Sequence, residues 1–403
     1  MKKIKALAVA GIIFALLITC FENSLTYNMK SKNYNIGMWN SEYKDKSYDA
    51  ISQNINDKTM IICGSSEFGH GRNTVYHPMN MCSESKNWIT IGSSYNQSIL
   101  HAIAVGSVGK QMNGKKVTIL LSPTWFYKKG ISPSHFEMRF SESEYYHFME
   151  NKDIPTSLKK YVAKRSEKLL KNNEGLQSKV KLCNNINLKK DKSKFAGTKY
   201  DFQKKYSRQK EYITVKTALM LSQNKIFGEL KNSIKSNKVV NALDDFEDSA
   251  DNDLTLKDAK KASISQSHNE YMMRDKSFMK LKPRLKQLKG SHLKDTWDES
   301  PEYSDLECFI KVCNSQNIDV QLILLPVNGK WYDYTGMTKD KRQVLSKNLD
   351  DIAKKYNVRY DDLSKLDYEE YITSDAVHPW NLGWIKINER MKEFYYEKGG
   401  SGY

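Results

Sequence analysis

Five short runs of strand character recur along the chain, and most of them stop at a loop of Gly, Ser, Pro, Asn or aromatic residues. The first is Thr59-Met60-Ile61-Ile62-Cys63, which stops at Gly64-Ser65-Ser66-Glu67. The second is Asn87-Trp88-Ile89-Thr90-Ile91, ending in Gly92-Ser93-Ser94. Lys116-Val117-Thr118-Ile119-Leu120-Leu121 runs into Ser122-Pro123-Thr124-Trp125-Phe126, and Asp319-Val320-Gln321-Leu322-Ile323-Leu324-Leu325 runs into Pro326-Val327-Asn328-Gly329. The fifth is Val358-Arg359-Tyr360-Asp361-Asp362-Leu363. Helical patterns separate them, for example over residues 96–110 and 341–356. Strands alternating with helices predict an α/β fold with a doubly wound parallel sheet. In such a sheet the loops past the strand C-termini share one edge, where open α/β sheets place their chemistry.

Between residues 132 and 300 the strand signals fade and Lys-rich helical spacing dominates. This stretch reads as a mostly helical insertion, packed on the sheet or roofing its active edge. Its interior break, 241–253, is acidic and reads as a loop. The rest of 58–403 forms the α/β domain, and the polar segment 23–57 reads as a surface lead-in.

The chain opens with Met1-Lys2-Lys3-Ile4-Lys5 and then runs from residue 6 to 21 without a charge. A span needs roughly 20 apolar residues. Ile4 extends the run, and Lys5 can snorkel to the headgroups. Residues 1–22 therefore read as a transmembrane anchor, with the lysines predicting a cytoplasmic N-terminus and an extracellular body. A cleaved signal peptide is the alternative, although no Ala-x-Ala site follows. Lipid modification of Cys20 is a third reading, opposed by the bulk of Thr19 before it.

The formal net charge is +17. That balance suits a polyanionic neighbour: an anionic membrane, an acidic polymer or nucleic acid. A plain solvated lysine surface explains it as well. No zinc-finger, RNP or basic-zipper pattern is present, so nucleic acid is the weakest of these. The six cysteines are irregularly spaced and make neither a disulfide framework nor a zinc site. No cofactor motif occurs. No H-x-x-H pair occurs, and Asp251-Asn252-Asp253 reads as a solvated turn, so no metal is expected.

Ser66 sits just past the first strand, and Asp375-Ala376-Val377-His378-Pro379 lies near the C-terminus. Ser66, Asp375 and His378 are the residue types of a nucleophilic triad, in the order Ser, Asp, His. The G-x-S-x-G elbow is not met, because Phe68 stands where its second Gly belongs. A capping serine and a loop histidine are the bland reading. The layout resembles that of SGNH (GDSL-type) hydrolases, in which one loop carries both Asp and His. That resemblance implies that Asp375 orients the imidazole of His378. His70, His77 and His101 have no carboxylate at triad spacing and read as structural.

Several segments resemble one family closely. They are Gly64-Ser65-Ser66-Glu67, Leu121-Ser122-Pro123-Thr124-Trp125-Phe126, Ser300-Pro301-Glu302-Tyr303-Ser304-Asp305-Leu306, Leu325 through Gly336, and the C-terminal Asp375 to Pro379 with Gly383-Trp384. In this order they look like the DltD family of D-alanyl-lipoteichoic acid biosynthesis proteins. The resemblance implies an SGNH-like fold outside a Gram-positive cell and work on D-alanylation of lipoteichoic acid. It further implies partnership with the membrane O-acyltransferase DltB, a DltX-type peptide and, indirectly, the carrier protein DltC.

On that footing Ser66 forms a D-alanyl ester, with His378 as base, and a glycerol hydroxyl collects the acyl group. Expected oxyanion donors are the N–H groups of Ser66 and Gly92, with Ser93 or Gln97 adding a side chain. The Gly-x-Asn of other SGNH proteins is replaced by Ser122-Pro123-Thr124-Trp125, which leaves the third donor open. Glu67, Trp125, Phe126, Asn328, Trp331 and Tyr334 are candidate substrate-binding residues, with loop anchoring as the alternative for the aromatics. Three functions compete: acyl transfer, hydrolysis of an envelope ester, and non-enzymatic docking.

Overall fold

A computed structural model describes residues 2–24, 36–72, 74–189, 193–223 and 256–397. The acidic loop 241–253 and the turn Asp251-Asn252-Asp253 lie outside the described residues.

The sheet has five strands: β1 (Met60–Cys63), β2 (Trp88–Ile91), β3 (Lys116–Leu121), β4 (Asp319–Leu324) and β5 (Arg359–Asp362). Their order is β2-β1-β3-β4-β5 and every pairing is parallel. The order reverses between β1 and β3, the switch point of a doubly wound sheet. Each predicted run lies within a residue of its strand; for β1 to β4 this is because buried parallel strands leave a near-continuous apolar signature.

Side-chain alternation divides the sheet into two cores. Ile61, Cys63, Ile89, Ile91, Val117, Ile119 and Leu121 face the helices Ser98–Ser107, Pro301–Asn314 and Lys339–Tyr356. Met60, Ile62, Trp88, Leu120 and Ile323 face the helix Asn381–Tyr396 through Trp384, Ile385, Met391 and Phe394. Helices on both faces bury β1 and β2 fully and nearly all of β3 and β4, while the edge strand β5 stays half-buried.

The expected insertion is helical and contains no strand among the described residues. It has its own core of Phe136, Tyr145, Phe148, Val162, Leu169 and Val180. That core docks on Ile99, Ile103, Cys308 and Val312, so it packs on two covering helices rather than on the sheet. Beyond residue 256 the chain returns to the strand edge, where Arg274 N–H donates to the Ser374 carbonyl at 3.1 Å.

Two expectations require correction. The lead-in is not a surface segment from residue 36 onward. Ile36, Met38, Trp39, Lys44, Asp45, Ala50 and Ile51 are all buried. Lys44 Nζ donates to the carbonyls of Gly37 and Thr90, and its own charge faces Asp45. Polar residues misled the reading because they pair with one another inside.

The single transmembrane span is not supported either. The N-terminal run is a helix, Lys2–Ser24. Yet among the described residues no helix is long and apolar enough to cross a membrane. Val9, Ile12, Ile13, Phe14, Leu16 and Leu17 on the N-terminal helix are exposed.

The described cysteines Cys63, Cys82, Cys183, Cys308 and Cys313 are buried and in no disulfide.

Candidate active site

β1 delivers Ser66 to the sheet edge. Past Cys63 the Gly64 N–H still bonds to the Ile91 carbonyl, and the chain then turns into a 3-10 helix, Ser66–Gly69. Ser66 leads that turn, where the first N–H groups have no intrahelical partner.

The C-terminal loop is closed by a bridge between Thr373 and Pro379. Inside it Ser374 N–H donates to the His378 carbonyl at 2.8 Å. Asp375 Oδ1 accepts the N–H groups of Val377 and His378, both at 2.9 Å. Trp380 N–H bonds to the Ile372 carbonyl, and Gly383 packs so close to that carbonyl that a side chain there would collide with it. This is why Gly383 follows the motif.

The two ends meet. Ser66 Oγ lies 2.8 Å from His378 Nε2, and His378 Nδ1 lies 2.8 Å from Asp375 Oδ2. The carboxylate accepts from Nδ1–H, so Nε2 is the acceptor for the serine hydroxyl. Burial alone would raise the Asp375 carboxyl. The His378 hydrogen bond and charge, with the two backbone donors, hold it down at about 2.

Other expected residues stand elsewhere. Gly92 N–H is already taken, donating to Asp45 Oδ2 at 3.1 Å, and Ser93 Oγ–H donates to the same oxygen at 2.8 Å. Neither group is free to face an oxyanion. Gly92 remains necessary for packing, since a Cβ there would sit 2.6 Å from the Gly64 backbone. Gln97 caps the helix Ser98–Ser107 by position only, with no side-chain cap bond, and its Oε1 is buried without a partner.

Glu67 does not face a ligand. It is 2% exposed, and its Oε1 accepts the Ser65 N–H at 2.6 Å. Burial lifts its carboxyl to about 7. A carboxylate beside the nucleophile offers either a contact to a substrate ammonium or a loop hydrogen bond, and it is the loop hydrogen bond that forms and shapes the turn.

The aromatic candidates are core residues. Phe126 is fully buried against Tyr303, and Trp125 is 3% exposed near His101. Trp331 is buried among Tyr271 and Tyr334. Half-buried Tyr334 donates its hydroxyl to the Leu285 carbonyl.

Asn328 holds the site together. Its Oδ1 caps Trp331 N–H at 3.0 Å, its Nδ2 donates to the Tyr271 carbonyl at 2.8 Å, and its N–H donates to the Ala376 carbonyl at 2.9 Å. Asp367 adds to this by accepting from Val327 N–H and Arg342. The Leu325-to-Gly336 motif therefore fastens the Asp375–His378 loop. Similarly, Glu302 accepts from Ser98 N–H at 2.8 Å, and burial lifts its carboxyl to about 8.

His77 and His101 are buried, and burial lowers both to about 3. His101 Nε2–H donates to the Gly64 carbonyl at 2.9 Å. His70 departs from the structural reading given to it. Its ring stacks on His378 with centroids 3.5 Å apart and planes 2° from parallel. Proximity to Ser66 in the chain was its only sequence signal.

A family model described as "DltD protein" matches residues 37–396. The chain is 27% identical to "Protein DltD" of Bacillus subtilis (strain 168) over 349 residues, covering 85% of this chain and 84% of that protein. It is 26% identical to "Protein DltD" of Staphylococcus aureus (strain NCTC 8325 / PS 47) over 353 residues, covering 86% and 82%. A third "Protein DltD", from Lacticaseibacillus rhamnosus, is 23% identical over 348 residues, covering 82% and 76%. With nearly the whole described domain inside the matched residues, the chain belongs to the DltD protein family.

Proposed function

We propose that this chain moves D-alanyl groups onto lipoteichoic acid outside the cell, through an acyl-Ser66 intermediate on an SGNH-like sheet. The observation that carries the reading is the relay from Ser66 Oγ through His378 to Asp375, with 2.8 Å at each step. Ser66 Oγ attacks the carbonyl of a D-alanyl donor while His378 Nε2 takes its proton. The tetrahedral intermediate collapses, His378 returns the proton to the leaving group, and a D-alanyl ester remains on Ser66. A glycerol hydroxyl of the polymer then loses its proton to Nε2 and attacks that ester, and the proton returns to Ser66. Asp375 holds the Nδ1–H tautomer and stabilises the imidazolium.

The oxyanion is held by the Ser66 N–H and by the amide of Gln97, since Asp45 occupies the Gly92 donor. With fewer donors than a typical hydrolase offers, the site favours a well-placed polyol over random water. The donor is presented by the membrane acyltransferase DltB with a DltX-type peptide, fed by DltC from the cytoplasm. The exposed apolar face of Lys2–Ser24 keeps the domain at the membrane, because an apolar patch of that kind is covered by lipid or by another protein. The net charge of +17 suits a poly(glycerol phosphate) acceptor.

The test is alkali-labile D-alanine on lipoteichoic acid in cells whose only copy carries Ser66→Ala, with protein level checked by blot. The expected result is the level of a deletion strain, with normal protein. D-alanine at the wild-type level would overturn the nucleophile assignment and favour a docking role.

A further inference from the structure

His378 is held along its edges by Ser66 at Nε2 and Asp375 at Nδ1. The lone pair and the N–H of an imidazole point outward in the ring plane, so such contacts hold the ring by its edge. They fix the line through the two nitrogens but resist tilting about that line only weakly. A hydrogen bond weakens as its angle departs from linear, so a tilting ring misaims Nε2.

His70 supplies the missing restraint. Its ring lies face to face with His378 at 3.5 Å and 2°, and its Nδ1 is 4.0 Å from Asp375 Oδ2. Its backbone is pinned on both sides. The N–H donates to the Glu67 carbonyl at 2.8 Å, and the His70 carbonyl accepts Trp384 Nε1–H at 3.1 Å. The side chain of His70 is 40% exposed and that of His378 18%. The outer ring therefore screens one face of the inner one.

We propose that His70 is a positioning residue that sets the plane of the His378 imidazole by stacking on it. This rests on the reading of Ser66 as nucleophile. The alternative use of the same three side chains is a metal site, since His70, Asp375 and His378 each offer a ligand atom within 4.8 Å of the others. The stack argues against it. Imidazole lone pairs lie in the ring plane, and two parallel planes 3.5 Å apart share no point for a cation.

The experiment uses the full chain in detergent and a fluorophosphonate probe, with the maximal labelling rate separated from probe affinity and the labelled residue found by peptide mapping. An aromatic stack is worth a factor of about two to ten. His70→Ala is expected to lower the maximal rate about three- to tenfold, with probe affinity and melting temperature unchanged. His70→Phe, which keeps a flat ring and removes the imidazole nitrogens, is expected to restore it to within about twofold. The low-field proton NMR signal of His378 Nδ1–H gives a second readout: retained in wild type and His70→Phe, broadened in His70→Ala. Wild-type behaviour of His70→Ala in both readouts overturns the proposal. So does failure of His70→Phe to rescue, which would assign the effect to the imidazole nitrogens or to bound metal. Absence of labelling at Ser66 in the wild type overturns the nucleophile reading itself, and this inference with it.

Discussion

Asp45 Oδ2 accepts the Gly92 N–H at 3.1 Å, so a residue from the N-terminal lead-in takes up a donor that the strand pattern assigned to substrate. The same carboxylate neighbours the fully buried Lys44 ammonium at 3.4 Å. Burial pulls Lys44 down to about 8 and raises Asp45. The pair is thus a costly one, offset by its mutual contact and by the hydrogen bonds that Lys44 gives to Gly37 and Thr90 and Asp45 accepts from Gly92 and Ser93.

Removing one partner strands the other charge. Asp45→Ala is expected to destabilise the domain by about 3–5 kcal/mol, measured as the shift in urea unfolding midpoint at constant slope. A change under about 1 kcal/mol would show that Lys44 sheds its proton, or finds water, at little cost.

Gly92→Ala tests the close approach of two loops. The added Cβ would meet the Gly64 backbone at 2.6 Å, next to the turn that carries Ser66. A backbone neighbour cannot swing aside as a side chain can, so the nucleophile loop must move. Displacement of about 1 Å can cost about a hundredfold in rate. Labelling of Ser66 is expected to fall by that order while circular dichroism stays native.

Glu67 predicts a pH dependence. Its folded pKa, about 7, lies above that of an unfolded glutamate. A raised value means that its stabilising contribution is full below pH about 4 and is lost as pH rises through about 7. Glu67→Gln keeps the acceptor for Ser65 N–H and removes the charge. The variant should gain on wild type across that interval, by up to about 3 kcal/mol. Parallel stability curves for the two proteins from pH 4 to 8 would exclude it.

Asn328→Ala removes a helix cap and the side-chain bond to the Tyr271 carbonyl. Loss of the cap costs about 1 kcal/mol, and each buried group left without its partner costs about 1–3 kcal/mol. The Ala376 carbonyl keeps its backbone donor, but that donor now sits on a frayed turn. Both melting temperature and lipoteichoic acid D-alanine are expected to fall. Loss of stability without loss of D-alanine would detach this motif from the His378 loop.

Position in the chain was enough to find the strands. Met60–Cys63 and Lys116–Leu121 are apolar because both of their faces are covered, and that signature is local. The placement of Ser66 after β1, and the three-residue spacing of Asp375 and His378, followed from the same local information. Periodicity likewise marked the helices of the insertion.

Which group serves which partner was decided by tertiary contact alone. Trp125, Phe126 and Trp331 follow strands as a substrate wall would, yet they are buried, because a loop aromatic gains more by filling the core than by facing water. Glu67 turned to a backbone N–H two residues earlier, and Gly92 gave its donor to Asp45, 47 positions away. His70 meets His378, far along the chain, through ring faces that leave no periodic trace. Apolar burial repeats with the geometry of a strand or helix and so can be read in order. A hydrogen-bond or stacking partner is set by where distant loops come together, and that is written only in the folded chain.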